Sequence, residues 1–225
     1  MRDLPEEWDV VASKDHFHGR VIGVRTDTVR MPRAAEREPN RTPGEARTDS
    51  KVQGEADSTN WELADRDYVV HPGSVAVVAL DEQDRVLLIR QYRHPVRHLL
   101  WELPAGIRDV AGEPLAELAA RELAEEAGYA ADTWHTLVDL MSSPGMTDER
   151  IRVFLARGLR RTEIDFEHRH EEIDMPVEWV PLADAVERAL MGMIHNSPAV
   201  AGILAAYAAS VEGFALLRPA DAPEE

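Results

Sequence analysis

The order of secondary-structure signals along this sequence predicts an α+β protein or an α/β/α sandwich. Three observations carry that expectation. Strand-like runs lie on both sides of a single helical pattern in mid-chain, two further helical patterns follow near the end, and 44% of the 225 residues are hydrophobic, enough for one sizeable core.

Residues 16–30, HFHGRVIGVRTDTVR, alternate Val, Ile and Thr and read as one or two strands. Residues 33–60 contain almost no apolar side chains and much Pro, Gly, Ser and charge, the composition of a long disordered loop. Order resumes by Asp67, where YVVHPG leads into SVAVVAL (74–80); after the turn DEQD comes RVLLIRQY (85–92), and the two runs read as a central hairpin. WELPAG (101–106) is a short strand interrupted by Pro104 and Gly106, followed by the loop IRDVAG and a helix from about Pro114 to Ala127. Pro114 suits the first turn, where its missing N–H costs nothing, and Gly128 is a natural C-terminal stop. Further strands are expected at 134–141, 150–159 and 176–182, and helices at 182–193 and 197–213. The expected division is an N-terminal strand region over 1–66 carrying the 33–60 loop, a main domain over 67–213, and a flexible tail over 214–225.

Composition narrows the function. There is no cysteine, which excludes disulfides, thiolate catalysis and zinc–cysteine or iron–sulfur sites. Forty-two acids against 25 bases give a net charge of -17, which repels nucleic acid and anionic lipid surfaces. A small phosphorylated ligand is compatible with that charge only where arginines or a metal ion neutralise it locally. The opening stretch lacks the apolar core of a signal peptide, and no run reaches the length of a membrane span, so a cytoplasmic protein is expected, with no nucleic-acid and no membrane partner.

The helix contains RELAEEAG, residues 121–128. At ~100° per residue, Leu115, Leu118, Ala119 and Leu123 define an apolar side, and Glu122 and Glu126 fall inside it, while Glu117 and Arg121 take the outer face. Two carboxylates one turn apart repel each other, and burying them unpaired costs several kcal/mol. A hard divalent cation would accept oxygens from both, with Glu125 beside them and Arg121 orienting a glutamate.

Gly106, Glu113, Arg121, Glu122, Leu123, Glu125, Glu126, Gly128 and Tyr129 together resemble the signature of the Nudix hydrolases. Six residues separate Gly106 from Glu113 where the family pattern has five, which alters the loop and leaves the spacing from Glu113 through Glu126 intact. The flanking QYRHP (91–95), WELPAG, SSPGMTDE (142–149), HEEIDM (170–175) and HNSPAVAG (195–202) look like the ADP-ribose pyrophosphatase group, in particular its actinobacterial members. The resemblance runs from about Arg66 onward, and more loosely over 16–30.

The resemblance implies a Nudix α/β/α sandwich with a mixed central sheet, preceded by an N-terminal antiparallel strand region. It implies that Glu122, Glu126 and Glu125, with the backbone carbonyl of Ala105, hold Mg2+, with Mn2+ as a substitute. Glu172 would align or deprotonate the attacking water, and Arg121, Glu122 and Glu126 would complete the catalytic set. Arg93 and Arg66 would pair with substrate phosphates, Glu149 would contact the terminal ribose, Gly145 would give that loop freedom to approach a sugar, and Ile107 would lie beside the substrate through its main chain. The implied substrate is a nucleoside diphosphate derivative, ADP-ribose in the first place, and the implied assembly is a homodimer with exchanged N-terminal strands. The residues leave open a different nucleoside diphosphate sugar, an oxidised nucleotide, or a sensor that binds ADP-ribose without cleaving it. No residue stands out for stacking on adenine; Trp8, Phe17 and Trp61 are the candidates.

Overall fold

A computed structural model of the chain describes residues 1, 3–33, 61–162 and 175–224. The expected 33–60 loop, apart from Arg33, and Glu172 lie outside the described residues. The chain divides into two compact units, Met1–Val70 and His71–Glu225.

The first unit is an antiparallel sheet in the order β1 (Val10–His18), β2 (Gly23–Pro32) and β3 (Trp61–Val70). The boundary expected after residue 66 falls inside β3. The YVV run belongs to this sheet because its partner is β2, from Gly23 opposite Val70 to Pro32 opposite Trp61.

The second unit holds two sheets. A mixed sheet runs in the order β11 (Arg218–Pro219), β8 (Tyr129–Met141), β9 (Arg150–Arg161), β4 (Ser74–Ala79) and β7 (Ala105–Ile107), with β4 and β9 parallel and the other pairs antiparallel. A second sheet runs β10 (Val177–Pro181), β5 (Arg85–Arg93) and β6 (His98–Glu102). The helices are α1 (Leu115–Ala127), α2 (Leu182–Leu190) and α3 (Ser197–Val211). Alternate residues of the central strands feed two cores. Ala76, Val78, Val153 and Leu155 join Ala185, Ala199 and Ile203 of α2 and α3, while Val75, Val77 and Phe154 join Leu118, Ala119 and Leu123 of α1. The α/β/α sandwich with a mixed sheet is thus present, as is the antiparallel N-terminal strand region.

Two expectations fail here. β4 and β5 do not form a hairpin: they lie in different sheets, and the backbone pairing between the two runs is an isolated bridge from Leu80 to Val86. Both runs are buried on both faces, so their continuous apolar pattern carries no pairing information. The flexible tail expected from residue 214 is anchored instead. β11 pairs with β8, and buried Arg152 donates to the carbonyls of Ala222 and Pro223 at 2.5 and 3.1 Å. Among the described residues, no helix is long and apolar enough to cross a membrane.

Candidate metal and substrate site

Helix α1 follows Pro114 and stops at Gly128, whose φ of 72° is the left-handed conformation of a C-cap. Its buried face is Leu118, Ala119, Leu123, Ala124 and Ala127. Docking that face on the sheet brings Glu122 against the backbone of Gly106 in β7. A β-carbon at Gly106 would lie 2.2 Å from the Glu122 carboxyl carbon, so a side chain there would displace the glutamate from this position. Glu126 is anchored beside it, accepting the Ala105 N–H at 2.8 Å.

Arg121, expected on the outer face, turns back and gathers the acids. It donates to Glu113 at 3.1 and 3.2 Å, to Glu122 at 2.8 Å and to Glu125 at 3.3 Å, and lies 3.5 Å from Asp109. Hydrogen bonding to Glu113, aided by the surrounding carboxylates, raises its pKa and keeps it charged. Among the described residues, the one Arg121 guanidinium is divided over Glu113, Glu122 and Glu125. The Glu122 side chain is 13% exposed, and burial, reinforced by Glu125 and Asp109 against the pull of Arg121, pushes its carboxyl up to about 7.

Among the described residues, no three acid or histidine side chains are arranged to hold a metal ion. The chemistry of the set nevertheless fits a hard divalent cation. Its side-chain acceptors are all carboxylate oxygens, in negative surplus, and one of them is raised in pKa by a burial that a cation would offset.

The other expected site residues fall into separate settings. Glu149 accepts from Ser142 Oγ at 2.7 Å and from Ser74 Oγ at 3.3 Å, with His71 Nδ1 3.6 Å away. Ile107 pairs with Ser74 across β7 and β4, so the main chain of β7 lies one strand from the support of Glu149. Gly145 lies outside the left-handed region, and a β-carbon there would meet nothing within 4 Å, so the turn itself does not require glycine. Arg93 places Nε and Nη2 on the carboxylate of Glu102, at 3.0 to 3.2 Å and 2.6 Å. Arg66, in the first unit, donates to the Asp65 carbonyl and to Met31 Sδ, both at 2.9 Å.

A NUDIX domain model matches residues 70–200, more than half of the chain. The chain belongs to the Nudix family. The ADP-ribose pyrophosphatase of Mycobacterium tuberculosis is 41% identical over 215 residues, covering 96% of this chain and 90% of that protein. A methanol dehydrogenase activator from Bacillus methanolicus is 30% identical over 163 residues, 72% of each chain. A crystal structure of an ADP compounds hydrolase, 17% identical, matches the fold with a TM-score of 0.66 over 95% of this chain and 99% of its own.

Within this Nudix fold, reading the sequence missed the partners more than the acids. Glu102 as the buried mate of Arg93, Asp109 beside Arg121, and the pair Ser74 and Ser142 under Glu149 had no spacing signal, because each meets its partner through strand pairing or loop return. Glu102 alone left a trace, as a charged residue following the apolar run LLW.

Proposed function

We propose that this Nudix protein is an ADP-ribose pyrophosphatase, cleaving ADP-ribose with water to AMP and ribose 5-phosphate. The observation that carries the reading is Glu122 pressed on the bare backbone of Gly106 within an acid cluster that shares the guanidinium of Arg121. The extent of identity to the Mycobacterium tuberculosis enzyme supports the choice of substrate.

Glu122, Glu125 and Glu126, with the Ala105 carbonyl, would hold Mg2+, or Mn2+ in its place. A cation held there would supply screening of the pyrophosphate charge, a lowered pKa for water and stabilisation of the departing phosphate. Arg121 orients the glutamates by its fork, as a partner behind the ligands. Glu172 takes the proton of the attacking water; the new P–O bond forms as the bridging P–O bond breaks and its electron pair leaves with the second phosphate. Arg93 and Arg66 pair with the phosphate oxygens. Glu149, steadied by Ser74 and Ser142, accepts from the terminal ribose hydroxyls, with the Gly145 turn and the Ile107 main chain alongside. A homodimer with exchanged N-terminal strands, working in the cytoplasm, completes the proposal.

A panel of nucleoside diphosphate derivatives with magnesium, read as released nucleoside monophosphate, tests it. ADP-ribose is expected to turn over fastest. Faster turnover of ADP-glucose or oxidised dGDP would transfer the reading to another Nudix substrate, and binding without turnover would make the protein a sensor. Glu172→Gln is expected to lose most of kcat while folding normally; wild-type rates in that variant would move the base elsewhere, with Glu171 the first alternative.

A further inference from the structure

Residues 218–224 run back across the five-stranded sheet and are fastened along their length. Arg218 pairs its backbone with Thr136 and its guanidinium with Asp139 at 2.9 Å, and Thr136 Oγ1 donates to the Pro219 carbonyl at 3.0 Å. Arg152, 3% exposed, spends part of its donor set on Asp139 and part on the carbonyls of Ala222 and Pro223. A buried guanidinium stripped of acceptors is costly, so this segment is part of the folded unit. The residue after the last of these anchors reaches a different arginine: Glu224 accepts from Arg108 Nη2 at 2.5 Å.

Arg108 stands at a junction. It directly follows Ile107 of β7, and its own N–H donates to the Gly73 carbonyl at 3.1 Å. Its side chain crosses Gly73, where a β-carbon would lie 3.0 Å from Arg108 Cδ and φ is +88°, so the crossing depends on glycine. The 71–74 turn beneath it supports the Glu149 loop, through the His71 N–H to Asp148 at 2.8 Å and Ser74 Oγ to Glu149. One arginine therefore joins the strand that carries Ala105 and Gly106 to the turn that steadies Glu149.

We propose that residues 218–224 act as a strap that, through Glu224, holds Arg108 across Gly73 and so sets the spacing between the β7 backbone and Glu149 for binding the nucleoside diphosphate. Arg108 is a positioning residue in this scheme, and the inference rests on the pyrophosphatase reading for its substrate. The bonds of the strap go to Arg108, Arg152, Thr136 and Asp139, whereas the metal-side acids bond to Arg121 and Ala105. Loosening the strap should therefore disturb substrate affinity more than turnover.

The test uses the full chain with Glu224→Gln, Arg108→Ala and Arg108→Lys. Glu224→Gln is expected to raise KM for ADP-ribose on the order of threefold, the size of a partly exposed ion pair, with kcat and the magnesium dependence unchanged. Arg108→Ala should raise KM further, Arg108→Lys should recover most of the loss, and the Glu224→Gln/Arg108→Ala double variant should be no worse than Arg108→Ala alone. Amide exchange measured without substrate should quicken over residues 71–74 and 105–109 in Glu224→Gln. If wild type fails to cleave ADP-ribose, the substrate reading falls and the exchange result still judges the strap. Unchanged exchange overturns the strap. A fall in KM in Glu224→Gln also overturns it, since it would show Glu224 competing with the anionic substrate for Arg108.

Discussion

Glu102, 2% exposed at the end of β6, lies in the fork of the Arg93 guanidinium, whereas Glu122, 13% exposed on α1, shares Arg121 with Glu113 and Glu125. In the first setting a buried negative charge is met by two donors of one cation. In the second, one cation is divided among several acids, and the Glu122 carboxyl is pushed up to about 7. The two look alike in sequence, each a glutamate beside apolar residues. The contrast teaches that a charge balanced within the chain marks a joint of the fold, while an unbalanced one marks a place where a cation from outside is needed.

The largest expected effect breaks the contrast on its functional side. Glu126→Gln should lower kcat on the order of a thousandfold, the several kcal/mol of a lost metal ligand, without lowering the melting temperature of metal-free protein. Wild-type kcat in that variant would remove the metal site from the mechanism.

Next comes the structural side. Glu102→Gln should destabilise the protein by about 2–3 kcal/mol in urea unfolding, less than for a fully buried pair because Arg93 remains half-exposed. Glu122→Gln in metal-free protein should be neutral or stabilising, since it removes a charge that burial disfavours. Equal destabilisation by the two substitutions would erase the distinction.

The smallest effect is a pH dependence. The folded pKa of Glu122, about 7, lies above its ordinary 4.5. Its contribution to the stability of metal-free protein is therefore fully present below the lower value and lost as pH rises through the upper one. A divalent cation binds the ionised form, so the stabilisation by magnesium should be larger at pH 8 than at pH 6, by about 1 kcal/mol. Thermal melts with and without magnesium at both pH values check this; equal increments would mean that Glu122 does not ligate the ion.

The difference between what could and could not be read from the sequence follows the same physics. α1 is legible because a helix imposes one period on its buried and polar faces, so the sequence alone sets Glu122 beside Leu118 and Ala119. The partner strand of β4 is not, because a strand buried on both faces shows an unbroken apolar run and no register. Residues 218–224, rich in Pro and acid, look like a tail by composition; they are held largely through backbone carbonyls, which leave no mark on side-chain pattern. Arg152 within the apolar run RIRVFLA was the available hint that something polar had to return to that face.

The parallel pairing of β4 with β9 has a kinetic consequence. Besides the short pairing of Ser74 to Ala76 with β7, Ser74 through Ala79 pair along their whole length with Ile151 through Ala156, across the intervening α1 and β8. α1 packs on both strands, so the surface that presses Glu122 onto Gly106 is complete only after this long loop has closed. During synthesis the acidic helix must therefore wait, its charges in water, until β9 has emerged. Assembly of the acid cluster should be among the late events of folding.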